Sequence, residues 1–365
     1  MGRNQGKGRD RRSGGDMRAL RLHGARDLRL DEVPEPRLAP GSVKIRVEWN
    51  GLCASDLNNY LHPAMPDEYL HPVLRTHGPH VQGHEFSGRI VEAASDVEGL
   101  PEGAVVVVEP LVFDGTCAAC RRGAYNLCEN FGFIGLMGGA GGLAEYAVVP
   151  ADRVHRMPEG ISPTVAALVE PMAVAWHAVR RAGLVPGESV LIVGAGPVGL
   201  ELLMVARAWS AGHITVSEIS ETRRRQAVDF GADLVLDPTE VDVVSKVRAR
   251  APGGVDMAFE ASGAGTPALL TMIGSLRKGG RAVTVSQGRP VEFDPTVLML
   301  AEIDLTGSFG YDGPDFPAVI ESIRIGNLSP KPLITDRISL EEARERGYEE
   351  LLAHGDRHVK ILVHP

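Results

Sequence analysis

Hydrophobic and polar positions alternate along the first part of the chain, as they do in half-buried strands. The alternation is clearest at residues 43–47, and residues 83–90 and 104–108 are further strand candidates separated by proline and glycine. No clear amphipathic helix is predicted between residues 17 and 150. We therefore expect a compact, mostly antiparallel unit with long loops.

From about residue 161 the hydrophobic period lengthens to that of a helix. A helix is predicted over residues 163–182, and short apolar runs then alternate with helical patterns. The predicted strands are 190–193, 213–217, 234–236, 256–260 and 281–285, and the predicted helices are 222–230, 241–249 and 266–276. Two further elements are expected near residues 296–301 and 305–308. This order is typical of a doubly wound parallel sheet, so the fold class is α/β.

The last part of the chain does not continue the alternation. Helices are predicted at residues 316–325 and 340–352, and a last strand at 359–363. We expect this segment to return to the first domain. The predicted organisation of the 365 residues is a disordered basic tail, a mostly β domain, a nucleotide-binding domain and a returning segment, at 1–16, 17–165, 166–309 and 310–365.

Three glycines open the helix that follows the strand at residues 190–193. Gly194, Gly196 and Gly199 have the spacing G-x-G-x-x-G, with Pro197 and Val198 between the last two. Such a turn lets the backbone approach a pyrophosphate at a helix N-terminus. The second strand ends in Glu218, where a carboxylate would accept the adenosine ribose hydroxyls. Without that second strand, the glycines would indicate only a tight turn.

Composition and charge exclude several classes of protein. The net charge is 38 − 47 = −9, so no global basic field is available for a nucleic acid, and we expect no nucleic-acid partner. No run of eighteen apolar residues occurs, so no membrane span is expected, and the basic tail lacks the apolar core of a secretory signal. Three of the four cysteines lie within residues 117–128, which favours metal binding over disulfides. We therefore expect a cytoplasmic protein.

Candidate metal ligands are scattered through the first half of the chain. They are Cys53, the adjacent His84 and Glu85, and Glu170. One thiolate, one imidazole and one or two carboxylates would form a mixed zinc site with an open position, which is the catalytic type. Taken singly, each has an ordinary structural interpretation, such as a buried thiol or a surface ion pair.

At these residues the chain resembles the zinc-containing medium-chain alcohol and polyol dehydrogenases, with most similarity to the (R,R)-2,3-butanediol dehydrogenase branch. The resemblance extends from about Met17 to Pro365. It implies a GroES-like catalytic domain, a Rossmann domain and a cleft between them. It also implies that Cys53, His84 and Glu170 bind the catalytic zinc, and that Glu85 binds it or contacts it through water.

The resemblance assigns further roles beside the zinc. Asp56 matches the acid that orients the ligand histidine, and Ser55 the hydroxyl that takes the substrate proton. Asn58 stands where relatives carry a proton-relay histidine, and an amide does not titrate in the working range. Either water completes the relay or one of four loop histidines does; these are His62, His71, His77 and His80.

A second zinc site is expected from the cysteine cluster. Cys117, Cys120 and Cys128 resemble three ligands of the family's structural zinc lobe, and Asp114 stands where the first cysteine usually lies. Aspartate is a legitimate zinc ligand, so we expect a structural zinc on all four residues. The alternative is a lobe that has lost its metal.

The expected dinucleotide is NAD, because Glu218 repels the 2′-phosphate of NADP. Arg223 opens the next helix and could pair with that phosphate, which keeps the alternative open. Ser286 and Ser308 follow later strands, at the edge where a doubly wound sheet places its ligand.

The expected reaction is oxidation of a secondary alcohol, a vicinal diol or polyol, to a ketone by hydride transfer to NAD. Aromatic residues expected to line the pocket are Tyr60, Phe131, Phe133 and Tyr311. A second interpretation is a dehydrogenase of a sugar, an aminocyclitol or threonine, and a third is a non-catalytic protein that binds NAD(H) and zinc. By resemblance alone, a homodimer or homotetramer is expected.

Overall fold

The computed structural model describes residues 15–66 and 68–365. The predicted basic tail lies outside the described residues up to position 14, and Asp16 already begins the first strand. The strands are β1 (Asp16–Gly24), β2 (Asp27–Pro34), β3 (Ser42–Gly51), β4 (His80–Val81), β5 (Glu85–Ala93), β6 (Val105–Val108), β7 (Leu111–Val112), β8 (Gly132–Phe133), β9 (Tyr146–Pro150), β10 (Val154–Arg156), β11 (Val190–Val193), β12 (Ile214–Ser217), β13 (Leu234–Leu236), β14 (Val255–Glu260), β15 (Leu276–Thr284), β16 (Asp304–Gly307), β17 (Ile334–Ser339) and β18 (Lys360–His364). The α-helices are α1 (Ala54–Leu61), α2 (Ala118–Arg121), α3 (Pro163–Ala166), α4 (Val169–Ala182), α5 (Pro197–Ala208), α6 (Glu221–Asp229), α7 (Val243–Arg250), α8 (Thr266–Ser275), α9 (Thr296–Ala301), α10 (Asp315–Arg324) and α11 (Glu350–His354).

The first part of the chain forms an antiparallel framework around β3. Val43, Ile45 and Val47 are buried while Arg46 is exposed, as the alternation predicts. β3 pairs with β5 and β9, and a longer sheet runs in the order β10-β6-β5-β3-β18-β17. A second small sheet, β2-β1-β4, packs beside it.

The last strand of the chain belongs to this first sheet. β18 pairs antiparallel with β3, and β17 pairs in parallel with β18. Residues from the C-terminal end therefore lie beside residues of the first sixty, at the point where β3 ends.

The middle of the chain forms a six-stranded sheet in the order β13-β12-β11-β14-β15-β16, with every pair parallel. Helices α4, α5 and α10 cover one face with one hydrophobic cluster, and α7 and α8 cover the other. The strand order reverses between β11 and β14, which is where such sheets bind ligands. The predicted α/β class, with a mostly antiparallel unit followed by a doubly wound parallel sheet, is confirmed.

The structure contains a helix that is not predicted, α1, and two predicted helices that differ in form. α1 was not expected, because its buried positions include Asp56 and Asn59 rather than an apolar stripe. The helix predicted at 163–182 is two helices, α3 and α4. The helix predicted at 340–352 is a π-helix at Ala343–Glu349 that continues into α11, so its period is not 3.6 residues.

Among the described residues, no helix combines the length and apolar character needed to cross a membrane.

Candidate active site

The paired ends of β3 and β5 bring three candidate ligands together. Gly51 pairs with Glu85 in the β3–β5 ladder, Cys53 stands at the N-terminus of α1, and His84 directly precedes β5. One ligand atom each from Cys53, His84 and Glu85 lies within 4.8 Å of the other two. The sheet register therefore places a thiol, an imidazole and a carboxylate at one point.

Asp56 orients two of these ligands. It is fully buried, its Oδ2 accepts from the Cys53 N–H at 2.9 Å, and its Oδ1 lies 3.2 Å from His84 Nδ1. Burial lowers the pKa of His84, but the Asp56 carboxylate outweighs burial and the net shift is upward. Because Nδ1 is held by Asp56, Nε2 is the nitrogen left for a metal.

Ser55 lies beside the same imidazole. Its Oγ is 3.3 Å from His84 Nε2, on the side that the other ligand atoms share. A hydroxyl there can contact a substrate oxygen bound next to the ligand set.

Glu85 is held by a partner that the sequence motifs did not indicate. Lys360 Nζ, on β18, lies 2.7 Å and 2.8 Å from the two carboxylate oxygens, and both side chains are almost fully buried. A Cβ at Gly51 would collide with Glu85 Oε2, so this position requires glycine. The signal in the sequence was a lysine within an otherwise apolar last strand.

Glu170 lies in the first turn of α4 and is buried. It is not among the residues whose ligand atoms all lie within 4.8 Å of one another. Burial raises the pKa of Glu170 to about 7, while the nearby His84 charge opposes that shift. The fully buried Tyr311 hydroxyl is close to Glu170 but has no hydrogen-bond partner of good geometry among the described residues.

An aromatic wall lies next to the ligand histidine. Phe133 is edge-on to His84 at 6.4 Å and to Tyr311 at 6.4 Å, while Phe131 contacts Phe133 and Phe309. Phe309, which is 44% exposed, was not identified from the sequence. The sequence-based prediction that Tyr60 lies in this wall is wrong.

Tyr60 is 1% exposed and packs in the core below the site. It is edge-on to Tyr348 at 5.3 Å and donates to Glu349 Oε1 at 2.6 Å. Its position on the buried side of α1 accounts for this, and that helix was not predicted.

Asn58 is exposed on α1, and the loop histidines have separate surroundings. His71 is buried, with Nδ1 accepting from Val73 and Leu74 and Nε2 3.0 Å from the Phe131 carbonyl oxygen. His80 lines a cavity of about 500 Å³ together with Asn59 and Gln82, whereas His62 and His77 are exposed. His71 thus serves to fix its own loop.

The second candidate site is compact. Asp114, Cys117, Cys120 and Cys128 each place a ligand atom within 4.8 Å of the others. Cys117 Sγ lies 3.5 Å from Cys120 Sγ, and Cys120 Sγ lies 3.6 Å from Asp114 Oδ1. Two sulfurs on one tetrahedral zinc would be about 3.8 Å apart, so the lobe has the dimensions of a structural site.

The backbone prepares this lobe for a metal. N–H groups of Cys120 and Glu129 lower the pKa of Cys117 to about 7, which favours the thiolate. Asn130 Nδ2 donates to Asp114 Oδ2 at 2.8 Å, which leaves Oδ1 facing Cys120. Both donor sets, one S/N/O and one S₃O, suit zinc.

A third cluster of possible ligands is an ion-pair network instead. His177 Nδ1 and Arg180 Nε both lie 2.8 Å from Asp315, and Arg180 also pairs with Asp312. The Arg180 guanidinium bonds to both carboxylates and offsets part of their charge, so this cluster joins α4 to α10 through ion pairs.

The glycine motif forms the predicted turn between β11 and α5. Gly194 has φ +99° and approaches the Ser262 backbone, and a Cβ at Gly199 would collide with the Gly194 carbonyl oxygen. Gly196 is different, because the space beside it is open up to Arg223 at 4.0 Å. Open space at the N-terminus of α5, preceding Pro197 and Val198, is suited to a pyrophosphate.

Glu218 and Arg223 line a cavity of about 370 Å³ beside that turn. Glu218 accepts from the N–H groups of Ala195 at 2.7 Å and Ser220 at 2.8 Å. Arg223 Nη2 donates to the Gly355 carbonyl, while its buried Nε has no hydrogen-bond partner among the described residues. A carboxylate and a guanidinium thus face one adenosine-sized space.

The later strand ends carry the other predicted cofactor residues. Ser286 Oγ donates to Glu260 Oε2 at 2.6 Å, and Glu260 also accepts from Ser262 and Gly263. The Ser308 hydroxyl is buried, and no partner for it occurs within 15–66 and 68–365. A buried hydroxyl without a partner at this edge of the sheet could hydrogen-bond to a bound dinucleotide.

Comparison with known proteins gives consistent results. Residues 39–159 match the model of the alcohol dehydrogenase GroES-like domain, and residues 197–324 match the model of zinc-binding dehydrogenases. (R,R)-butanediol dehydrogenase of Bacillus subtilis (strain 168) is 38% identical over 354 residues, which is 96% of this chain and 100% of that one.

Two solved structures are similar over the same extent. The crystal structure of 2R,3R-butanediol dehydrogenase from Bacillus subtilis superposes with a TM-score of 0.90 at 38% identity, covering 96% of this chain and 99% of that chain. A Sinorhizobium meliloti 1021 protein described as a zinc-binding dehydrogenase and bound to NADP gives 0.86 at 31% identity, covering 96% and 100%.

Proposed function

We propose that this chain, which belongs to the zinc-containing medium-chain alcohol and polyol dehydrogenases, oxidises a small vicinal diol to a hydroxyketone with NAD. Members of this family are oxidoreductases acting on CH–OH groups. The observation that carries the proposal is the meeting of Cys53, His84 and Glu85 within 4.8 Å at the end of β3, with Ser55 beside them.

The proposed ligands of the catalytic zinc are Cys53, His84 and Glu170. Glu85 is close enough to bind the zinc, but Lys360 contacts both of its carboxylate oxygens. We therefore propose that Glu85 lies beside the zinc without binding it directly. Glu170 completes the set from the cofactor domain. When bound, zinc supplies Lewis-acid polarisation of the substrate oxygen, and the nicotinamide supplies the hydride acceptor.

The remaining steps belong to side chains of this protein. Asp56 keeps the His84 ring oriented, and Ser55 Oγ accepts the proton of the substrate hydroxyl. Asn58 is exposed and does not titrate, so we propose that water carries the proton from Ser55 to solvent.

The aromatic wall favours a small diol. Phe133 packs against His84, Phe131 and Phe309 extend the aromatic wall from it, and none of the three rings carries a hydrogen-bonding group. A sugar or cyclitol would leave several hydroxyls unpaired against these rings, which is costly. This supports butanediol-like substrates over the sugar, aminocyclitol and threonine alternatives.

An NADH absorbance assay over butane-2,3-diol, sorbitol, an aminocyclitol and threonine tests this proposal. We expect the highest kcat/KM with the diol. In Cys53→Ser, turnover should fall by about a thousandfold while NAD binding is nearly intact, because the thiolate holds the ion and not the dinucleotide. No turnover with any alcohol would favour a non-catalytic binding protein, and full activity in Cys53→Ser would refute the mechanism.

We propose NAD over NADP because Glu218 lines the adenosine cavity and its charge opposes a 2′-phosphate. We also propose a second, structural zinc on Asp114, Cys117, Cys120 and Cys128. We propose that Ser286 and Ser308 contribute to the cofactor site. We also propose that the chain divides into a first domain at 17–165, a cofactor domain at 166–309 and a returning segment at 310–365.

We further propose a homo-oligomer that works in the cytoplasm. β16 is an edge strand of the parallel sheet, and the adjacent α9 exposes Met299 and Leu300 at 68% and 70%. An apolar surface beside an open edge favours pairing with a second copy. The cytoplasmic assignment rests on cysteines that must stay reduced to bind metal.

A further inference from the structure

The loop between α1 and β4 carries a histidine that is hydrogen-bonded through both of its ring nitrogens. His71 is 3% exposed. Its Nδ1 accepts from the N–H groups of Val73 and Leu74, each at 3.2 Å, and its Nε2 lies 3.0 Å from the Phe131 carbonyl oxygen. One buried side chain thus joins its own loop to the segment that carries the aromatic wall.

These contacts determine where the imidazole carries its proton. A nitrogen that accepts from two N–H groups has no proton of its own, so Nδ1 of His71 is unprotonated. The proton of the neutral ring is then on Nε2, which donates to the carbonyl oxygen of Phe131. The ring therefore has one acceptor and one donor, and the fold uses both.

The imidazole also packs tightly against the segment that it holds. A Cβ at Gly132 would lie 2.7 Å from His71 Cε1 and 3.0 Å from His71 Nε2, so this position leaves room for glycine alone. The Leu74 side chain reaches the same point, with Cδ1 at 3.0 Å. His71 and its loop therefore support the start of β8, the strand that carries Phe133.

Phe131 connects this support to the substrate side of the aromatic wall. Its ring is edge-on to Phe133 at 6.3 Å and to Phe309 at 5.4 Å, and Phe133 is edge-on to His84 at 6.4 Å. The backbone of Phe131 is held by His71, and its ring packs against the two other rings of the wall. A shift at the Phe131 carbonyl is therefore transmitted to the wall.

We propose that His71 is a positioning residue that sets substrate specificity: its Nε2–H holds the Phe131 carbonyl and so fixes how closely the aromatic wall approaches the substrate. This inference rests on the proposed oxidation of a small diol. With the carbonyl released, the Phe131 ring moves outward, so a short diol is held less well and a longer one fits. Since both ring nitrogens are in use, His71 acts by position and not as a proton relay.

Two substitutions separate the roles of the two nitrogens. In His71→Asn, the amide oxygen can replace Nδ1 toward the N–H groups of Val73 and Leu74, but the donor to Phe131 is lost. In His71→Gln, the longer side chain can place its amide N–H at the Phe131 carbonyl, while the acceptor for the loop is lost. A purely structural role in the loop would make His71→Gln the more damaged variant.

The specificity of these variants is measured as the ratio of kcat/KM for butane-2,3-diol to that for hexane-3,4-diol. Both values come from the same protein sample, so the ratio does not depend on the folded fraction. We expect His71→Asn to lower the ratio by about tenfold, the lower end of what one methylene group contributes in an apolar pocket. His71→Gln should restore the wild-type ratio, and His77→Asn, at an exposed position of the same loop, should leave it unchanged.

The separate kinetic constants give a second criterion. The change in His71→Asn should come from a higher KM for butane-2,3-diol with kcat nearly unchanged, because Ser55 and His84 keep their positions. An unchanged ratio in His71→Asn, or an equal fall in His71→Asn and His71→Gln, overturns the proposal.

Nitrogen NMR of protein labelled with ¹⁵N-histidine tests the hydrogen bonds without turnover. The signal that disappears in His71→Asn should show an unprotonated Nδ1 and a protonated Nε2. The opposite tautomer, or a doubly protonated ring, overturns the proposal. Failure of the proposed function would show differently, as a wild-type protein that has the expected His71 tautomer but oxidises neither diol, and that result would overturn this inference with it.

Discussion

At the scale of single residues, the chemistry of the sequence singled out Cys53, His84 and Glu85, which the structure brings together, but it did not indicate their supporting contacts. Each of Cys53, His84 and Glu170 has an ordinary structural interpretation, and only their joint occurrence ahead of a nucleotide-binding fold indicates a metal site. The Glu85–Lys360 pair joins positions 275 residues apart, and only the pairing of β18 with β3 brings them together. A local sequence pattern carries no information about such a contact.

We predict that the preference for NAD over NADP depends on one residue, Glu218. Replacing it in Glu218→Ser removes the charge that repels a 2′-phosphate, while Arg223 in the same cavity remains to pair with it. The ratio of kcat/KM with NADP to that with NAD should therefore rise by about tenfold or more. Glu221→Ser, the same change at an exposed position of α6, should leave the ratio unchanged. A wild type that already prefers NADPH would contradict the assignment.

The burial of Glu201 predicts a pH dependence of stability. Burial, opposed by the charge of Lys360, raises its pKa to about 7 from the ordinary 4.5. The folded state then holds a proton that the unfolded state has lost, so stability falls as the pH rises from about 4.5 to about 7. Glu201→Leu removes this loss.

Urea unfolding of wild type and Glu201→Leu at pH 5.5 and pH 8 measures this effect. The stability advantage of the variant over wild type, measured as the difference in free energy of unfolding, should be larger at pH 8 than at pH 5.5 by about 2 kcal/mol. A difference that does not change between the two pH values would show that Glu201 titrates normally.

At the scale of elements, the glycine turn was predictable because its spacing has a geometric cause. In Gly199→Ala the new Cβ would collide with the Gly194 carbonyl oxygen, so α5 must move away from β11. We expect NAD affinity to fall by about tenfold and stability by about 2 kcal/mol, measured by calorimetric titration and by urea unfolding. Gly24→Ala, where a Cβ meets nothing within 4 Å, is the matched control. Unchanged NAD affinity in Gly199→Ala would mean that the turn does not shape the cofactor site.

The helix α1 could not be predicted from the sequence. Its inward positions carry Asp56, which orients two ligands, and Asn59, which donates to Gln82 at 2.9 Å. Since the site uses these polar groups, the helix lacks the apolar stripe by which helices are recognised. The placement of Tyr60 in the pocket wall was wrong for the same reason.

The metal lobe gives a separate prediction at this scale. Asp114→Ala should reduce the zinc content from two ions per chain to one and lower the melting temperature, because the remaining three thiols bind zinc less tightly. Asp114→Cys should keep both ions. Zinc is measured on purified protein by atomic absorption. One zinc in the wild type, with no further loss in Asp114→Ala, would show that the lobe has lost its metal.

At the scale of the whole molecule, the residues in and around the site come from distant parts of the chain. Cys53 and His84 come from the antiparallel sheet, Glu170 from the first turn of α4 beyond it, and Lys360 from the returning C-terminal strand. The family resemblance and the alternation of elements predicted both domains. Glu170 lies outside the group formed by Cys53, His84 and Glu85, and no local residue pattern predicts that spacing.

The most direct test of the central claim is anomalous diffraction at the zinc edge on crystals of the NAD complex. We predict a peak bonded to Cys53 Sγ, His84 Nε2 and the Glu170 carboxylate, on the side facing the nicotinamide. A map with no peak between Cys53 and His84, in protein that turns over the diol, would contradict the proposed mechanism.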